Sequence, residues 1–153
     1  MMEKENLIKL IEKSFRDNFD SSALNDYATT VKYTYGELAK EIEKLHILYD
    51  AMGIKPGDKI ALVGKNSTRW CIVYLSALTC GATIVPILQD FNSGDISHII
   101  NHSESKLLFC SDTIWETLDA DGLPGIRASF SLSKLNLQYR REGEKVDFFL
   151  SQL

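Results

Sequence analysis

The sequence predicts an α/β fold, a parallel sheet with βαβ crossovers preceded by an amino-terminal helix and a short hairpin. Three observations carry this expectation. Short apolar runs recur at residues 59–63, 82–87 and 106–110, helical stretches lie between them, and glycines or capping residues punctuate the junctions. Strands buried on both faces of a parallel sheet are apolar throughout, not alternating, and these runs have that character.

In chain order, residues 5–20 place Leu7, Ile8, Ile11, Phe15 and Phe19 in one stripe with Leu10 beside it, an amphipathic helix. Its outer face mixes Glu12, Asp17 and Asp20 with Lys9, Lys13 and Arg16, which favours packing on protein over lying on a membrane. Asp20-Ser21-Ser22 breaks the pattern, and Val31 to Tyr35 reads as a short strand. Thr34 stands three residues before Glu37, the spacing of a capping box. Leu38, Ile42, Leu45, Tyr49 and Met52 follow at helical steps until Gly53, and Pro56-Gly57-Asp58 makes a turn.

Lys59 to Val63 is then a buried strand, Asn66 or Ser67 caps a helix to about Thr79, and Ala82 to Ile87 is the next strand. Ser93 is expected to cap a helix through about His102, Lys106 to Cys110 to form a third strand, and Asp112 to cap a short helix. Asp119 to Gly125 is loop by composition. Ile126, Ala128, Phe130 and Leu132 alternate as in a further strand. Val146, Phe149, Leu150 and Leu153 fall on one helical face that the chain ends upon, which suggests truncation. Phe148, Phe149, Leu150 and Leu153 are expected to be disordered or to drive self-association.

Composition excludes several classes. Hydrophobic residues make up 44% and charged residues 25% of 153 positions, ordinary for a globular domain and wrong for disorder. The net charge of −4, without a basic stripe, argues against nucleic acid. No apolar run approaches the ~20 residues a membrane span needs, and the charged start lacks the pattern of a signal peptide. Cys71, Cys80 and Cys110 are an odd, scattered set with no Cys-x-x-Cys, so a reducing cytoplasm is the expected location.

A parallel α/β sheet invites a nucleotide, and the sequence carries neither of the usual phosphate loops. Gly64-Lys65 has the look of a P-loop ending, but position 59 is Lys where that loop needs glycine, and Asn66 replaces the magnesium-binding hydroxyl. No two glycines stand one residue apart, which excludes Gly-x-Gly-x-x-Gly. His98 and His102 have the i, i+4 spacing of two metal ligands, yet Ile99 follows the first where a zinc-protease helix carries Glu. They are expected to be partly exposed polar residues opposite Ile96, Ile99 and Ile100. Cys71 and Cys80 are expected to be small hydrophobic filler. No serine sits in a Gly-x-Ser-x-Gly elbow. Trp70 and Tyr74 are expected to pack against the sheet, the alternative being the floor of an acyl or adenine pocket.

Two stretches carry a resemblance. Tyr33-Thr34-Tyr35-Gly36-Glu37-Leu38 resembles the "leu-thr-tyr-x-glu-leu" motif of the adenylate-forming, or AMP-binding, superfamily. Asn66-Ser67-Thr68-Arg69-Trp70, followed by Leu78-Thr79-Cys80-Gly81-Ala82-Thr83-Ile84-Val85-Pro86-Ile87, is similar to its "asn-ser-pro-glu-trp" and "leu-lys-ala-gly-gly-x-x-val-pro-leu" segments. Between them Gly53 to Leu62 resembles "gly-val-lys-pro-gly-asp-arg-val-ala-leu". Order and spacing match over residues 27 to about 118. Thr68-Arg69 for pro-glu, Cys80 for alanine, and Leu88-Gln89-Asp90 after Pro86-Ile87 are the departures.

Within that superfamily the long-chain fatty acyl-CoA synthetases look closest. The resemblance implies the amino-terminal, Rossmann-like subdomain of a ligase that joins a carboxylate to ATP and passes the acyl adenylate to CoA. It implies residues 1–24 as an amino-terminal helix and 25–153 as a partial subdomain that stops before the phosphate loop. On this reading the catalytic, cofactor-binding and metal residues all lie outside the chain. The parent uses ATP, Mg2+, CoA and a fatty acid, and the rest of the polypeptide is the chain's first partner. Another adenylating enzyme, aryl-CoA or amino-acid activating, and a stand-alone Rossmann-like interaction domain are the alternatives.

Overall fold

The computed structural model describes residues 6–27 and 30–144. The expected helical face of Val146, Phe149, Leu150 and Leu153 lies outside them. Helix α1 spans Leu7–Asp17, with Asn6 as its cap accepting the Ile8 N–H. It is shorter than the expected residues 5–20. Asn18 N–H bonds back to Ser14, and Phe19 leaves the helix so that its ring lies 2.6 Å from where a Gly36 Cβ would stand. A side chain at Gly36 would have to displace that half-exposed ring. Phe15 meets Tyr35 edge-on at 5.3 Å, fixing α1 against the next helix.

Strands β1 (Ser22–Asn25) and β2 (Lys32–Thr34) pair antiparallel as a separate two-stranded sheet. Tyr35, expected in the strand, instead opens helix α2 (Tyr35–Ala51). Thr34 accepts the Glu37 N–H at 3.1 Å and donates its hydroxyl to the Glu37 carboxylate at 3.2 Å, so the expected pair caps the helix, with the return bond made to the hydroxyl and not to the Thr34 backbone. At the other end Gly53 has φ +69°, Gly53 N–H reaches Asp50 O and Ile54 N–H reaches Tyr49 O. That is a Schellman turn, and the left-handed residue is the glycine.

The main sheet has five strands in the order β4-β3-β5-β6-β7. Strands β3 (Lys59–Val63), β4 (Thr83–Ile87), β5 (Leu107–Cys110) and β6 (Ala128–Ser131) run parallel. Between them come α3 (Thr68–Thr79), α4 (Ser93–Ser103) and α5 (Asp112–Thr117). Pro86 pairs with Leu62 in β4, an outer strand where a missing N–H is tolerated. Strand β7 (Leu137–Arg140) was not anticipated. It turns back after Ser131 and pairs antiparallel with β6, making the sheet mixed. Helices α2 and α3 cover one face, through Leu45, Leu48, Tyr49, Ile72 and Val73 on Leu62, Phe109 and Phe130. Helices α4 and α5 cover the other, through Ile96, Ile100 and Trp115 on Val63, Leu108 and Cys110.

Two caps differ from expectation by one residue. Asn92, not Ser93, accepts the Asp95 N–H at 2.8 Å to start α4. Ser111, not Asp112, accepts the Ile114 N–H at 3.3 Å to start α5. In both places neighbouring residues are competent caps, and the turn leaving the strand decides which one keeps an extended backbone. The expected alternation over Ile126–Leu132 is also overridden: β6 is buried on both faces, its polar Ser129 and Ser131 included.

Candidate functional site

Ligands of open α/β sheets sit beyond the carboxyl ends of the strands, where successive crossovers diverge. Here α3 carries the chain from β3 outward to β4, and α4 brings it back across β3 to β5. The divergence therefore falls between the ends of β3 and β5. A shallow crevice of about 250 Å3 opens there, lined by Asp26, Lys65, Ser67, Arg69, Ser111, Leu132 and Ser133.

The chain itself fills the positions a phosphate would use. The amino end of α3 offers unpaired N–H groups and a positive dipole end. Asp26, arriving from the β1–β2 hairpin, takes the Thr68 N–H at 2.8 Å and the Thr68 hydroxyl at 3.2 Å. Ser67 accepts the Trp70 N–H at 3.1 Å. Gly64, where a P-loop glycine would let backbone approach phosphate, is instead covered by Leu132. A Cβ at Gly64 would lie 2.5 Å from Leu132 Cδ2. A carboxylate at the helix end repels a phosphate, and a leucine over the glycine excludes one. The residues described do not fit a triphosphate.

A larger cleft of about 400 Å3 lies beside it, between the ends of β3 and β4. Trp70 and Pro86 supply apolar wall, and Lys65, Asn66, Gln89 and Asp90 supply polar rim. It can accept a flat, partly polar group. No nucleophile paired with a base lines it.

The residues singled out in the sequence are dispersed. His98 and His102 stack on the exposed side of α4, ring centroids 5.9 Å apart. Among the described residues no cluster of three or more His, Cys, Asp or Glu could hold a metal. Burial pushes all three thiols up, Cys110 to about 12, with Asp26 adding to the effect at Cys71. They are therefore protonated near neutrality and poor nucleophiles. Trp70 and Tyr74 stack at 5.3 Å against the α2–α3 core, while Trp70 also lines the cleft.

Gln138 on the unanticipated β7 was missed. Its carbonyl accepts from the buried Ser129 hydroxyl at 2.8 Å, and its amide donates to Cys110 O at 3.1 Å and to Asp112 at 2.8 Å. Asp112 thereby stands at the carboxyl edge with its carboxyl held below the usual range, Gln138 being the first cause and the Ser131 hydroxyl the next. Asp26 was missed too. Its partner is 42 positions away, and no local pattern marks such a bond.

The sheet is doubly wound, and its own side chains occupy the positions a phosphate would use at the start of α3. The sequence model of the family described as "AMP-binding enzyme" matches residues 11–147, and the chain belongs to that family. Curated relatives include the mitochondrial acyl-coenzyme A synthetase ACSM5 of Rattus norvegicus, 29% identical over 98 residues, covering 63% of this chain and 17% of that protein. The long-chain-fatty-acid–CoA ligase FadD13 of Mycobacterium tuberculosis is 29% identical over 93 residues, covering 61% of this chain and 18% of that protein. The chain thus spans less than a fifth of the length of these relatives.

Among solved structures, the N-terminal domain of FACL13 from Mycobacterium tuberculosis matches with a TM-score of 0.76 at 22% identity, over 86% of this chain and 34% of that one. The coronafacic acid ligase of Pectobacterium brasiliense matches with a TM-score of 0.77 at 16% identity, over 85% and 26%. These likenesses show the fold. The segments that carried the resemblance are caps and turns here: the Thr34–Glu37 box, the Gly53 turn, the Ser67 cap, and Gly81, which ends α3 at φ +82°. Among the described residues no helix is long and apolar enough to cross a membrane.

Proposed function

We propose that the chain is the amino-terminal scaffold of an ATP-dependent fatty acid–CoA ligase, acting in the cytoplasm and inactive on its own. In this reading, segments further along the parent polypeptide bind ATP with Mg2+, the fatty acid and CoA. The carboxyl edge of the sheet supplies a wall against which they pack. The observation that carries the reading is the family match over residues 11–147. Relatives named as acyl-coenzyme A synthetases and long-chain-fatty-acid–CoA ligases favour a fatty acid as the carboxylate. The filling of the β3–β5 crevice by Asp26 and Leu132 supports inactivity of the isolated chain.

The test is acid-dependent ATP–pyrophosphate exchange by the full-length parent across fatty, aryl and amino acids. Exchange with fatty acids is expected. Exchange with aryl or amino acids only would refute the substrate class, and no exchange with any acid would refute adenylation. Tight, Mg2+-dependent ATP binding by residues 1–153 alone would overturn the scaffold role.

A further inference from the structure

The outer face of α4 carries a pair of side chains that the ligase reading does not use. The helix is anchored at both ends and on one side. Asn92 caps its start at 2.8 Å, Glu104 closes its end in the left-handed region at φ +57°, and Ile96 and Ile100 are buried on the sheet. On the opposite side His98 and His102 are exposed, one turn apart, with centroids 5.9 Å apart and ring planes within 19°.

Two imidazoles binding one ion at ~2.0–2.1 Å each, in cis positions, bring their ring centroids to roughly 5 Å. The observed pair is about an ångström wider, a gap that side-chain rotation of exposed residues closes with no backbone change. We propose that His98 and His102 form a two-point binding site for a divalent transition metal, the remaining positions on the ion being filled by water. The helix holds the spacing, so the folded protein pays little entropy to chelate, whereas the unfolded chain does not hold the two rings together.

Imidazole ligands with several waters suit Ni2+ and Cu2+ better than Zn2+, whose protein sites have three or four protein ligands. Asp95, one turn earlier, accepts from the Asn92 amide at 2.8 Å and contributes charge nearby. The three thiols are held protonated by burial and offer no competing thiolate.

The probe is Ni2+ alone, added to the protein during thermal unfolding. Because only the folded form chelates, Ni2+ at ten times its dissociation constant raises the midpoint by roughly 3–5 °C. His98→Asn and His102→Asn each abolish the rise while leaving the metal-free midpoint within about 2 °C, as expected for exposed sites. Weaker stabilisation by Zn2+ than by Cu2+ at equal concentration also supports the site. No rise in the unsubstituted protein, or a rise that survives either single substitution, overturns it.

Discussion

Asp26 does at one residue what a bound anion does at the start of many helices. Its carboxylate satisfies the Thr68 N–H and hydroxyl, and so joins the small β1–β2 sheet to the edge of the main one. Asp26→Ala is expected to lower stability by about 1–2 kcal/mol, the usual cost of losing such a cap. Asp26→Asn, whose amide oxygen still accepts, should lose less than half as much. Urea unfolding reads both, and equal losses for the two variants would show that charge, not hydrogen bonding, holds Thr68. Leu132 on Gly64 is the companion contact, and it explains that glycine by packing instead of phosphate.

Elements are tied together by polar side chains where backbone pairing ends. Strand β7 pairs with only one neighbour, yet Gln138 reaches past β6 to Cys110 O on β5 and to Asp112 at the start of α5. Removing that amide leaves the Ser129 hydroxyl, fully buried, without its acceptor. Gln138→Ala should therefore cost about 1–3 kcal/mol. Hydrogen exchange of β7 amides should accelerate more than that of β3. Adding Ser129→Ala in the same chain should recover part of the loss, because the stranded hydroxyl is then gone. An additive double variant would argue that Gln138 and Ser129 do not act as a pair.

For the whole molecule, pH acts through carboxylates held in their charged form. The Lys55 backbone N–H and then Lys106 hold the Asp58 carboxyl low, and Arg127, at 2.7 Å, holds Glu144 low. A carboxyl depressed in the folded state adds stability above its unfolded value. That stability is lost as pH falls through the folded value. The denaturation midpoint should accordingly drop as pH falls below about 4, where unfolded carboxyls take up protons. Glu144→Gln should lower the midpoint at pH 7 and narrow the gap between pH 7 and pH 3. An unchanged gap would remove Glu144 from the account.

The sequence by itself determined the α/β class, three apolar parallel strands, their intervening helices and the family. These follow from signals a few residues long: periodicity, the Thr34–Glu37 box, and glycines at positions such as Gly53 and Gly81 that adopt positive φ. The family motifs were legible for the same reason, since they encode caps and turns. Only the tertiary structure decided strand order, the burial of β6 on both faces, the return of β7, and the filling of the β3–β5 crevice by Asp26 and Leu132. Each of those depends on partners far apart along the chain. Their pairing energy comes from mutual burial and leaves no pattern in the neighbouring residues.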